Sequence, residues 1–149
     1  ARDWHDAVAF EYSTGVSTHW LARHFTAVYG VEHSAAWCAR TEDMLGEADN
    51  VRIYQCPSEA DYVRAIDRPG LLQFDLISID GIWRNECFFY AVERLAPGGY
   101  LAIDNTDVPD RQVVVNALPD YFAPEDIHVF PGYASGLIHA NETTICVRR

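Results

Sequence analysis

Along this chain, short runs of β-branched and aromatic residues alternate with longer stretches whose apolar positions recur every three or four residues. Residues 7–11 (AVAFE) read as a strand, followed by a small-residue turn over 12–17 and a helix through 20–25. A second strand is expected at 27–31 (AVYGV), then a helix over 35–45 that stops at Gly46. Residues 51–55 form a third strand, with a short helix near 61–66 closed by Pro69 and Gly70. The run 74–79 (FDLISI) is almost continuously apolar, as expected of a strand covered on both faces. A helix over 86–95 ends at Pro97-Gly98-Gly99, and a fifth strand follows at 100–103. The remainder supplies a helix around 111–118, a strand at 127–130, a loop carrying Gly132, Ser135 and Gly136, and a last strand at 143–147.

Such alternation predicts one α/β domain, a mostly parallel sheet of seven strands with right-handed crossovers and helices on both faces. The segment 131–141 is too short for a helical crossover and bears glycine, so the last strand is expected to run antiparallel, at the end of the sheet.

Composition narrows the classes of partner. A chain of 149 residues fits one domain that buries roughly 68–70% of its unfolded surface, with no need of a disulfide or metal staple. The 22 acidic residues oppose 11 basic ones, all arginine, for a net charge of -11. Such a surface repels phosphate backbones and anionic lipid, which argues against nucleic-acid or membrane partners. A lysine-free acidic chain suits either an arginine-rich codon usage or adaptation to concentrated salt. Cys38, Cys56, Cys87 and Cys146 form no C-x-x-C pair and follow no secretory signal, which fits reduced core thiols in a cytoplasmic protein. The six histidines show no zinc-ligand spacing, and no apolar run approaches the length of a membrane span.

In an open parallel sheet, ligands sit beyond the carboxyl ends of the strands, which here are Glu11, Glu32, Gln55, Asp80 and Asp104. Core packing gives no reason for four of five to be acidic. The first strand leads into Tyr12-Ser13-Thr14-Gly15-Val16-Ser17, a turn whose following helix would aim amide groups at a ligand. Glu32 lies 21 residues after Glu11, the distance at which a carboxylate meets ribose hydroxyls in nucleotide-binding α/β domains.

The motif series E-Y-S-T-G-V-S-T (11–18), V-E-H (31–33), F-D-L-I-S-I-D-G (74–81) and L-A-P-G-G-Y-L-A-I-D-N (95–105) resembles that of class I S-adenosylmethionine-dependent methyltransferases. More narrowly, with Arg84, Cys87, Phe130-Pro131-Gly132 and Thr143-Thr144, it resembles a small group related to FkbM-type methyltransferases. The resemblance spans nearly the whole chain and implies a Rossmann-like methyltransferase fold with S-adenosylmethionine as cofactor. It implies that Glu11 orients the loop or accepts from the cofactor's amino group, and that Glu32 takes the ribose hydroxyls. Ser13, Thr14 and Gly15 would bring backbone close to the methionine and ribose portions, with Tyr12 and Ser17 also at the cofactor. His33, Pro57 and Ser58 would lie by the adenine, and Asp80 and Gly81 near the sulfonium, with Asp80 as the base for a hydroxyl acceptor. The family usually has glycine where this chain has Ser13, and a Cβ there resists positive φ and crowds a ligand.

Other readings stand beside these. Asp80 also fits the cap of the next helix, and Arg84 a surface ion pair or a substrate contact. Trp20, Trp37, Phe88, Phe89 and Tyr90 read as core, His128 and His139 as ordinary strand and loop residues, and Trp83 as a pocket wall. In metal-dependent catechol-type O-methyltransferases such strand ends hold Mg2+, for which Asp80, Asp104 and Asn105 are the candidates. The leading expectation is methyl transfer to an oxygen or nitrogen of a small molecule or protein; the alternative is a non-catalytic methyltransferase-like binding or assembly module. A nicotinamide-dependent enzyme is disfavoured because G-x-G-x-x-G is absent. Seven strands from residue 7 onward leave no room for an amino-terminal cap over the cofactor, so either a homo-oligomer contact is expected to supply that cover or the pocket stays open and catalysis is impaired.

Overall fold

The computed structural model describes Trp4, residues 6–133 and residues 140–149. Ser135, Gly136 and His139 lie outside the described residues. The strands are β1 (Val8–Tyr12), β2 (Ala27–Glu32), β3 (Val51–Gln55), β4 (Phe74–Ile79), β5 (Leu95–Asp104), β6 (Ile127–Gly132) and β7 (Asn141–Val147). Between them run α1 (Val16–Ala22), α2 (Ala35–Leu45), α3 (Glu59–Val63), α4 (Arg84–Ala91) and α5 (Gln112–Ala117), several extended by single 3-10 turns. All seven strands join one sheet in the order β3-β2-β1-β4-β5-β7-β6.

The expected alternation is present, with shifted boundaries. The first helix begins at Val16 rather than after residue 17 and ends at Ala22, because Thr18 Oγ1 accepts from the Gly15 amide at 2.8 Å and closes the first turn early. The fifth strand begins at Leu95, where the sequence pattern still read as helix. Its Pro97-Gly98-Gly99 segment is absorbed as an irregularity between the Phe74–Leu95 and Leu76–Tyr100 pairs. β7 is antiparallel, as expected, but is not at the end of the sheet. It inserts between β5 and β6, pairing antiparallel with both, and leaves β6 on the edge.

The two sheet faces bury unequal cores. One cluster, including Phe10, Tyr12, Tyr62, Phe74, Ile77, Phe88, Leu101 and Ile103, lies on the face covered by α3, α4 and α5. A smaller one, Ala7, Ala9, Leu21, Phe25 and Val28, lies beneath α1. Side chains alternate between faces along β1, so Phe10 and Tyr12 enter the larger core while Glu11 points to the α1 side. All four cysteines are free and buried. Among the described residues, no helix is long and apolar enough to cross a membrane.

Candidate functional site

Strand order reverses between β1 and β4, so the loops after these two strands part to opposite faces and leave a crevice at their carboxyl ends. Backbone bonds fix its lips: the Asp80 amide donates to Tyr12 O at 3.1 Å and the Ser13 amide to Val31 O at 2.9 Å. The chain leaves β1 through Ser13 at φ 86°, a left-handed conformation in which a Cβ is strained and glycine is the usual solution. On the facing lip, a Cβ on Gly81 would fall 2.0 Å from Tyr62 Oη and 3.2 Å from Ser13 Cβ, so only a bare backbone fits.

Glu11, 1% exposed, sits under the loop. Its Oε2 accepts from Ser17 Oγ at 2.9 Å, whereas Oε1 has no hydrogen-bond partner among the described residues. Burial pushes its carboxyl up to about 7; hydrogen bonds from Thr18 and Ser17 work against that rise, and Asp80 adds to it. Gly30 on β2 leaves space beside it, since a Cβ there would come 2.5 Å from Thr14 Cγ2 and 3.4 Å from Glu11 Cγ.

Glu32 ends β2 and is 2% exposed. Its Oε1 accepts from the His33 amide at 2.9 Å and the Ser34 amide at 3.0 Å, with His33 Nδ1 at 2.8 Å. Its Oε2 meets Ser13 Oγ at 3.3 Å. Ser34 also caps α2, which directs Trp37 back over the loop: its indole N–H donates to Thr14 O, and the ring lies 3.7 Å from the place a Gly15 Cβ would occupy.

These residues line two hollows of about 300 Å³ each. The first is bordered by Ser13, Thr14, Gly15, Val16, Ser17, Trp37 and Asp80. The second is bordered by Ser13, Glu32, His33, Ser34 and Trp37. A larger hollow, about 520 Å³, opens between Thr26 and Arg52 at the amino ends of β2 and β3. It lies away from the strand ends where an open α/β sheet binds ligands.

The second wall of the crevice belongs to Arg84, only 12% exposed. Its guanidinium donates to Gly81 O (2.7 Å), Asp80 O (2.9 Å), Asp104 O (2.7 Å) and Asn105 Oδ1 (2.9 Å). It also pairs with Asp80 Oδ1 at 2.9 Å and Asp104 Oδ2 at 3.6 Å. Arg84 is therefore a buried clamp between the ends of β4 and β5, not a surface ion pair. The Asp80 side chain, 60% exposed, is held up to about 6 by reduced contact with water and by Asp104, against the lowering by Arg84. Asp80, Asp104 and Asn105 do converge, but on the guanidinium. A divalent cation does not fit these oxygens, because the positive charge that would gather them is already covalently part of the chain.

Other expected site residues are placed elsewhere. The Tyr12 ring lies in the core and its hydroxyl donates to Val63 O at 2.8 Å, leaving only backbone at the crevice. Pro57 and Ser58 are exposed beyond β3, where Ser58 caps α3 through the Asp61 amide at 3.3 Å. Trp83 packs edge-on against Tyr62 at 5.4 Å and borders neither hollow. Trp20 and Phe89 are exposed rather than core, and Trp37, 40% exposed, covers the loop. Reading Ser34 as a helix cap would have fixed the phase of α2 and turned Trp37 toward the site.

No protein-family model and no curated sequence matches this chain. Solved structures do. The O-methyltransferase TomG from Streptomyces achromogenes, in complex with SAM, superposes with a TM-score of 0.70 at 22% identity, over 96% of this chain and 74% of that one. The N-methyltransferase NodS from Bradyrhizobium japonicum, in complex with S-adenosyl-L-homocysteine, gives 0.74 at 13% identity over 97% and 79%. Spermidine synthase from Thermotoga maritima gives 0.71 at 14% identity over 99% and 55%. The chain has the Rossmann-like fold of the class I methyltransferases, and the third neighbour shows that this fold alone does not fix a reaction.

Proposed function

We propose that the crevice binds S-adenosylmethionine and that the chain transfers its methyl group to an oxygen or nitrogen nucleophile of a small molecule or protein. The observation that carries this reading is Glu32: a buried carboxylate, anchored by the His33 and Ser34 amides, bordering a hollow beside an indole face. That arrangement offers lone pairs to a vicinal diol and an aromatic surface to a purine. The loop from Ser13 to Ser17 and Asp80 border the adjoining hollow, where the Asp80 carboxylate favours a cationic ligand portion. The bound cofactor supplies an electrophilic methyl group. The chain positions the two reactants and excludes water, and Asp80 takes the proton when the acceptor is a hydroxyl. An Asp80 pKa raised to about 6 leaves it ionised at neutral pH yet more basic than an ordinary aspartate. The narrower kinship with FkbM-type enzymes rests on the motif series alone.

Calorimetry with S-adenosylmethionine and S-adenosylhomocysteine tests the reading. Binding of both is expected, and Glu32→Gln is expected to weaken it by roughly 10- to 100-fold, the size of a lost charge-assisted hydrogen bond. No heat and no thermal shift with either ligand overturns the proposal. Binding without transfer to any acceptor supports the non-catalytic module, the reading favoured by Ser13 standing at a glycine-type φ.

A further inference from the structure

Among the described residues, Ser13 and Trp37 border both hollows, so they lie where the two adjoin. Each is fastened across the boundary. Ser13 Oγ reaches Glu32 Oε2 at 3.3 Å, and the Trp37 indole N–H holds Thr14 O, which belongs to a residue only 3% exposed. Ser13 keeps this place at φ 86°, so its Cβ stands where a glycine would leave the passage open. A ligand confined to the Glu32 side need disturb neither fastening. One that spans both hollows passes the indole and the Ser13 side chain.

Building on the cofactor reading above, we propose that Ser13 and Trp37 partition the site, and that together they set its preference for a nucleoside over a nucleoside carrying a charged amino-acid arm. The Glu32 compartment, with its anchored carboxylate and indole face, takes the nucleoside. The Asp80 compartment takes the amino-acid arm, its ammonium toward the carboxylate, only after the indole N–H releases Thr14 O. The partition thus lowers affinity for the long ligand by the fraction of molecules in which the wall is closed.

The test compares two probes by calorimetry: adenosine, which fills one compartment, and S-adenosylhomocysteine, which needs both. Trp37→Phe keeps an aromatic face and removes the N–H, so the closed wall loses its hydrogen bond. It is expected to raise the ratio of S-adenosylhomocysteine affinity to adenosine affinity about tenfold, the scale of one buried hydrogen bond, any change in purine stacking being common to both probes. Ser13→Gly is expected to shift the same ratio in the same direction. A variant that merely loosens the fold weakens both ligands together, and that result, or an unchanged ratio in both variants, overturns the partition while the cofactor reading stands. Failure of wild type and variants to bind either probe overturns both.

Discussion

The two walls of the crevice carry the same charge and neutralise it by different means. On the β1 and β2 side, Glu11 and Glu32 are buried among neutral donors: Ser17 and Thr18 for one, Ser13 and the His33 and Ser34 amides for the other. On the β4 and β5 side, Asp80 and Asp104 share the Arg84 guanidinium. Neutral donors do not cancel charge, so Glu11 answers burial with a carboxyl raised to about 7, and the first wall keeps unfilled lone pairs for hydroxyls on a ligand. A guanidinium offsets part of the charge on the second wall, leaving it a rigid support with one partly exposed carboxylate.

Removing the arginine breaks this contrast most directly. Arg84→Met leaves Asp80 and Asp104 facing each other and four oxygens without their donor. A loss of about 2 kcal/mol in urea unfolding is expected, because several oxygens lose their donor while the Asp80 carboxylate stays largely in water. Wild-type stability and any transfer activity are expected to be indifferent to Mg2+ or chelator. A wild-type protein stabilised by millimolar Mg2+ would show that the guanidinium does not occupy the cation position.

The next effect sharpens the comparison from the other wall. Glu11 rises from 4.5 to about 7 on folding, so between these values the folded chain holds a proton that the unfolded chain has released. Stability from this group is therefore greatest below pH 4.5, declines as pH rises toward 7, and is level above it. Glu11→Gln removes the dependence. Its stability relative to wild type is expected to climb by about 3 kcal/mol between pH 4.5 and 8, from the 2.5-unit rise of a side chain that is almost fully buried. A flat difference across that range would mean that Glu11 is ionised in the fold, with its Oε1 satisfied by water.

These two walls were not equally legible in the sequence. The strand-end acids and the Ser13–Ser17 turn follow from the alternation of elements, because each lies at a strand terminus whose position one residue pattern fixes. Arg84 did not, since its i,i+4 spacing to Asp80 suggests an exposed helix pair. The partners that bury it, Asp104 and Asn105, arrive from a strand 20 residues away. Trp37 failed for a related reason: helical spacing groups residues on one face without saying which face meets the core. The β7 insertion was also hidden, because a hairpin shows that two strands pair but not which of them joins the rest of the sheet.

The smallest expected effect lies where the two walls meet. Both carry a residue at positive φ: Asn105 at 58° and Ser13 at 86°. Asparagine tolerates the left-handed region, whereas serine there is strained by roughly 1–2 kcal/mol. Ser13→Gly releases that strain but adds roughly 0.5–1 kcal/mol of unfolded-state entropy. The bond it deletes, Ser13 Oγ to Glu32 at 3.3 Å, is long and contributes little. A net gain of about 0.5 kcal/mol is expected, read as a raised urea midpoint at unchanged m-value. A loss larger than about 1 kcal/mol would mean that the hydroxyl, not the two amides, is what holds the Glu32 carboxylate. The first wall would then depend on one side chain as the second depends on Arg84, and the contrast between them would narrow to the charge of the donor.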